Sequence, residues 1–219
     1  MSTGKGSHRL VSATTSGDGS HWLLFSITGD FGFGGIPAAE TPRAMENGLA
    51  LVKTNSAGDA QWIKYITGEG YLEGIKILAM PTGDVMICAD YSGRISINNL
   101  IRGSNERTEA ALWLFSPDGD FKKACTLYSP ISVRALDALV TPDGNVLMTG
   151  YFRQEYTTGK EEIRPKLSRS DIFLLKADAN LEVVWHDEPT RDALSFAKSF
   201  TLDHSGNIVL AGEIGRAHV

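Results

Sequence analysis

The chain is poor in the features that usually announce chemistry. Its 219 residues include two cysteines, Cys88 and Cys125, which fit neither a disulfide framework nor a zinc spacing. Each lies in an apolar run and reads as a small buried side chain. Positive charge is also scarce: 21 Lys and Arg stand against 26 Asp and Glu, for a formal charge of −5. The basic residues are scattered, so no stripe is available to neutralise phosphates and nucleic-acid binding is disfavoured. No apolar run approaches the roughly 20 residues that span a bilayer, which disfavours membrane insertion. The opening MSTGKGSHRL has no apolar core like that of a signal peptide.

Catalytic signatures are missing as well. The strings HExxH, GxSxG and Walker A do not occur, and His8, His21, His186 and His204 are spread over turns and strand ends without metal-ligand spacing. The Asp-rich turns SGDG, SPDGD and TPDGN lack the roughly twelve-residue ligand loop and closing Glu of an EF-hand. The glycines of DFGFGG precede no helix signal, so a phosphate cradle is not supported, and no kinase element accompanies the letters DFG. No cofactor or metal is expected.

What is present is a repeat. A turn glycine followed by a β-rich run recurs as GSHWLLFSITG from Gly19, GDVMICADYSG from Gly83, GNVLMTGYF from Gly144 and GNIVLAG from Gly206, at spacings of 64, 61 and 62 residues. Between the copies lie segments that read as strand, tight turn and strand, at 48–66, 110–128 and 171–187, with Gly58, Gly119 and Leu181 at the matched turn position. A third kind of segment, at 8–15, 74–80, 133–140 and 194–203, ends at each glycine turn and pairs with the run that follows.

Four strands per period follow, here a, b, c and d. They fall at 8–15, 20–29, 48–54 and 60–66 in the first unit. In the second they fall at 73–80, 84–91, 109–116 and 120–128, and in the third at 132–140, 145–152, 171–177 and 181–187. Four-stranded antiparallel units at this spacing are the signature of a β-propeller, whose blades cover one another's apolar faces. The expected fold is all-β: a β-propeller fragment of about three and a half four-stranded antiparallel blades. The blades span 8–66, 72–128, 131–187 and, for two strands only, 193–212.

The string DIFLLKADANLEVVW followed by LSFAKSFTLDHSGNIVLAG resembles the bacterial seven-bladed propeller repeat known as SBBP, and SPDGD, TPDGNVLMTGYF and GDAQW are similar to its other pieces. Trp62 and Trp185 hold the Trp of that pattern in strand d, but Lys123 replaces it in the middle unit and Leu181 replaces a turn glycine. The resemblance implies a bacterial surface or extracellular scaffold and gives no substrate.

Both ends carry expectations of their own. Residues 1–7 align with the connection that leads from strand d into the second unit, as if an earlier blade preceded them, so a signal peptide upstream would not be seen here. The last seven residues, EIGRAHV, can be encoded by GAG ATC GGA AGA GCA CAC GTC, similar to a sequencing-adapter read-through. The repeat is therefore expected to end near Gly212, with the missing blades belonging to the same polypeptide.

The a–b and c–d connections are tight turns, whereas the b–c connections are long in all three units, at 30–47, 92–108 and 153–170. Strand order places these insertions on one face, and loops on a rigid scaffold are where binding residues concentrate. Candidate binding residues are Phe31 and Phe33 in the first insertion and Arg94, Asn98, Arg102 and Arg107 in the second. The third contributes Arg153, Tyr156, Arg164 and Arg169. They are read as exposed aromatic and arginine anchors for a protein or glycan partner. The competing reading is that the insertions cover blade edges or are solvated linkers. A second function class, a propeller hydrolase or lyase, would use charged residues near the starts of the a strands: Arg9, Glu73, Lys76, Arg134, Asp137 or Lys198. Most of these are explained as polar positions of alternating strands.

Overall fold

A computed structural model describes residues 2–39, 47–97, 100–103, 107–158, 162–163, 170–188 and 195–214. The described chain is all strand and turn. In the first unit β1 (Ser2–Thr3) and β2 (Gly6–Thr15) are followed by β3 (His21–Gly29), a hairpin of β4 (Phe31–Phe33) and β5 (Ile36–Ala39), then β6 (Gly48–Thr54) and β7 (Ala60–Gly68). The second holds β8 (Leu72–Ala79), β9 (Val85–Tyr91), a hairpin of β10 (Arg94–Ile97) and β11 (Leu100–Gly103), β12 (Glu109–Phe115) and β13 (Phe121–Leu127). The third holds β14 (Ser132–Val140), β15 (Val146–Arg153), β16 (Tyr156–Thr157), β17 (Glu162–Ile163), β18 (Ser170–Ala177) and β19 (Val183–Asp187), before a last hairpin of β20 (Ser195–Leu202) and β21 (Ile208–Ile214).

Strands a to d of each complete unit form one antiparallel sheet in chain order: β2-β3-β6-β7, β8-β9-β12-β13 and β14-β15-β18-β19. The first is widened to six strands because β10 and β11 add to the edge of β7. The recurring glycines explain the regularity. Gly19, Gly83, Gly144 and Gly206 have φ of 83°, 85°, 79° and 82°. Each donates its N–H to the carbonyl three residues back, at 2.9–3.0 Å; a side chain is disfavoured in that left-handed region.

Each a strand also carries one irregularity at the same repeat position, between Leu10 and Ser12, Gly74 and Lys76, Ala135 and Asp137, and Ala197 and Ser199. The residue after the bulge reaches the next unit. Ser12 Oγ accepts from the Ile77 N–H at 3.3 Å. Lys76 Nζ donates to Asp137 Oδ1 at 2.6 Å, and Asp137 Oδ2 accepts from Ser199 Oγ at 2.6 Å. A bulge re-aims a side chain that regular pleating would leave over its own sheet.

The sheets bury their faces against one another. One core, between the first two, joins Trp22, Leu24, Leu49 and Leu51 to Ile77, Ile87, Trp113 and Phe115. The next, between the second and third, joins Met86, Cys88, Leu112 and Cys125 to Val133, Met148, Phe173 and Leu181. A smaller one sets Leu147 and Leu174 against Phe200 and the hairpin β20–β21. Both cysteines are buried and neither forms a disulfide, as their apolar runs predict.

Candidate functional site

In their described parts the three insertions do not project as free loops. The second and third each begin with a strand that pairs at the end of the outermost strand of the unit before it, and the first pairs in the same way with β1. In the second insertion Ser96 pairs with Thr67 and Ile97 with Ile66. In the first, Gly32 pairs with Thr3 and Phe33 with Ser2, 64 residues earlier at both partners. In the third, Thr157 pairs with Tyr128, 61 residues later at both partners, through N–H···O bonds of 2.8 and 2.9 Å. The insertions are clasps, and covering of sheet edges is part of what they do.

This geometry corrects the reading of two aromatics. Phe31 and Tyr156 are fully buried, at 0% exposure, and are not surface anchors. They occupy the same repeat position as Ile95, 1% exposed, and plug the seam behind each clasp. Phe31 lies 5.0 Å from the Phe25 ring and 5.1 Å from His8, and its carbonyl accepts from Tyr65 Oη at 2.6 Å. Tyr156 lies 4.7 Å from Phe152 and 5.6 Å from Phe173. The 64- and 61-residue spacing to an aliphatic, Ile95, is the sequence signal for burial. Phe33 is half-buried, 5.6 Å from Phe25.

Arg94, Arg107 and Arg153 are exposed on the insertion-bearing face. Arg102 lies on β11, paired with Ile95. Asn98, Arg164 and Arg169 lie outside the described residues.

Of the inner charged candidates, Glu73 and Arg134 converge, and they bring in two residues that sequence reasoning missed, Tyr71 and Asp90. Arg134 Nε donates to Asp90 Oδ2 and its Nη2 to Glu73 Oε2, both at 2.9 Å. Arg134 also donates to Tyr71 Oη, which donates to Glu73. The guanidinium lies 4.7 Å from the centre of the Tyr71 ring. The Ala135 N–H, at the bulge, donates to Asp90 Oδ1 at 2.8 Å. Asp90 is fully buried, and burial pushes its carboxyl up to about 7, against the pull of the Ala135 N–H and Arg134. Its signal in the sequence was a lone acid inside the apolar run VMICADY.

Lys76 and Asp137 form the second inner pair. Burial would raise Asp137, but the hydrogen bonds from Lys76 and Ser199 outweigh it and hold the carboxyl below its usual range. Both Asp90 oxygens are occupied, so the cluster ties the second sheet to the third and offers a ligand only the half-exposed Glu73, Tyr71 and Arg134 edge. Among the described residues no group of three or more His, Cys, Asp or Glu could hold a metal ion.

A cleft of about 460 Å³ opens on the tight-turn side between the second and third sheets, lined by Thr82, Asp84, Leu114, Lys122, Lys123, Ala179 and Asn180. Lys122 bridges to Asp84 at 2.8 Å and Lys123 bridges to Glu182, so its cations are engaged. No family model and no curated protein matches the chain.

Proposed function

We propose that the chain is part of a non-catalytic β-propeller scaffold, about three and a half blades of it, that presents its insertion-bearing face to a protein or glycan partner. The observation that supports this most is the clasp. Three insertions of unlike sequence are pinned, the first to β1 and the other two to the edge of the preceding sheet, and Arg94, Arg107 and Arg153 stand exposed beside the pinned strands. Anchored segments lose less conformational entropy on binding than free loops, and arginine is a recurrent anchor of recognition surfaces. The propeller itself is supported by successive four-stranded sheets stacked face to face and by the two-stranded β20–β21 sheet at the next position.

The test is a glycan array and a displayed peptide library, each probed with the wild-type chain and with Arg94→Ala/Arg107→Ala/Arg153→Ala. Binding that falls at least about tenfold in the triple variant is expected, since each exposed anchor contributes of order 1 kcal/mol. Binding that is absent, or unchanged in the variant, rejects the reading. The hydrolase or lyase alternative would work at Glu73 and Arg134. The commitment of both Asp90 oxygens to structural partners favours the scaffold.

A further inference from the structure

We propose that the cleft between the second and third sheets, on the tight-turn side, is a binding site for an uncharged aromatic ring of indole size. It takes from outside the ring that the first junction supplies from the chain itself. The site lies away from the insertion-bearing face, so it stands independently of what that face binds.

The first observation is how the same place is filled at the first junction. Trp62 on β7 faces Lys53 on β6 and lies edge to face with Trp22 at 5.4 Å. Its ring reaches the turn of the next sheet, where a Cβ at Gly119 would stand 2.6 Å from Cη2. Lys53 Nζ donates to the carbonyl of Pro117 in that turn at 3.0 Å. Indole, lysine and proline together close the first sheet onto the second.

The second observation is that all three change at the next junction. By register Lys123 stands for Trp62 and Leu114 for Lys53. The positive-φ turn position passes from Gly119 to Leu181, with φ of 78° and 61°, and two residues before it Ala179 stands for Pro117. Each of these three exchanges removes side-chain atoms, and Leu114 has no donor for the turn. Leu181 packs into the second core at 4% exposure. What is left is the cleft of about 460 Å³, bordered by Leu114, Lys122, Lys123, Ala179 and Asn180. That lies within the roughly 300–1,000 Å³ of small-molecule sites, and space vacated by a missing side chain is known to take up aromatic molecules.

The third observation is the chemistry of the lining. Leu114, 5% exposed, supplies apolar contact. The irregularity between β12 and β13 leaves Lys122 as the extra residue, so that it and Lys123 border the cleft together. Lys122 is held by Asp84 at 2.8 Å and Lys123 by Glu182, so the lining is balanced in charge and calls for no ion on the ligand. A lysine beside a ring is attracted to its face, an arrangement the first junction already uses: Lys64 Nζ lies 6.0 Å from the centre of the Trp62 ring.

The test titrates the full, isotope-labelled chain with indole and, separately, with N-acetyl-tryptophanamide, and follows the backbone amide shifts. Saturable shifts are expected at Leu114, Lys123 and Ala179, and none at Lys53 and Trp62, where the chain's own ring occupies the place. Two variants fill the cleft. Lys123→Trp/Leu181→Gly supplies a ring from the chain, and Ala179→Phe narrows the space from the opposite side and serves if the first does not fold. In either one the affinity is expected to fall at least about tenfold. Binding of indole alone assigns the site to a free aromatic compound, and binding of both probes assigns it to an aromatic side chain of a partner. The absence of saturable shifts with either probe overturns the proposal, as do shifts centred elsewhere or an unchanged affinity in a folded, filled variant.

Discussion

The two junctions between complete sheets share one backbone plan and fill it with different chemistry. The first is aromatic: Trp22, Tyr91, Trp113 and Phe115 are buried there, with Trp22 and Trp62 edge to face at 5.4 Å. The second is rich in sulfur, with Met80, Met86, Met148, Cys88 and Cys125, and it adds the Arg134 cluster and the Lys76–Asp137 bridge at its inner end. Rigid rings fix a stacking geometry by shape, whereas thioethers adapt to irregular space and specify it less. At the adaptable junction, directional polar bonds supply the register that ring shape supplies at the other. Repeat spacing and sheet order are thus conserved in the molecule while the means of holding the sheets together are interchangeable.

The largest expected effect tests that difference at one repeat position. Trp22 and Met86 are equivalent, and both are 0% exposed. Trp22→Ala is expected to cost about 4 kcal/mol and Met86→Ala about 3 kcal/mol in urea unfolding, because the smaller cavity is lined by side chains that can relax. A larger loss for Met86→Ala would mean that the second core is no more adaptable than the first.

Next in size is Asp90→Ala, expected to cost about 2 kcal/mol by baring the Ala135 amide and one side of Arg134, which keeps Glu73 and is partly exposed. Ser26→Ala, at the matching place in the first sheet, is expected to change stability by less than about 0.5 kcal/mol. Equal losses would remove the polar contribution claimed for the second junction. The same carboxylate gives that junction a pH dependence. Burial raises Asp90 from its ordinary 3.8 to about 7 in the folded chain, so between those values the folded state holds the proton more tightly than the unfolded state. Its contribution is full below 3.8 and is lost as pH rises through about 7. Wild-type stability relative to Asp90→Asn should therefore fall between about pH 4 and pH 7; a rise across that window contradicts the assignment.

The smallest effect converts one junction into the other. At the first junction the Trp62 ring leaves no room for a Cβ on Gly119, which would stand 2.6 Å from its Cη2, so Lys123→Trp alone is expected to destabilise by about 1 kcal/mol by the same clash with Leu181, and Lys123→Trp/Leu181→Gly is expected to recover it, since contacting residues are non-additive. A double-mutant cycle with no coupling would show the two exchanges to be independent.

The strands were legible because their signals are local. The turn glycines with φ near 80° and the apolar runs between them place strand b of the first unit at 20–29, where the structure has His21–Gly29. The clasps were not legible. Their strands are short, β4 having three residues and β16 two, and their partners, β1, β7 and Tyr128 after β13, lie tens of residues away, so no hairpin signal or alternation marks them. Phe31 and Tyr156 accordingly read as exposed loop aromatics although Ile95, at the same repeat position, pointed inward. Asp90 escaped because its partners lie 44 and 45 residues further on, at Arg134 and Ala135, beyond the reach of any spacing rule. Arg94, Arg107 and Arg153 are exposed, as charged groups in insertions remain solvated.

The clasp also sets an order in time. The outer strand β7 ends at Gly68, and the strand that seals it, β10, ends at Ile97, about thirty residues later in synthesis. At ~5–20 residues per second, each new sheet leaves the ribosome with its outer border open for a few seconds, until the following unit delivers the seal. Assembly is therefore vectorial: the first and second sheets are each finished by the unit that follows, and a pause in translation between a d strand and the next insertion prolongs the exposure of a bare β edge.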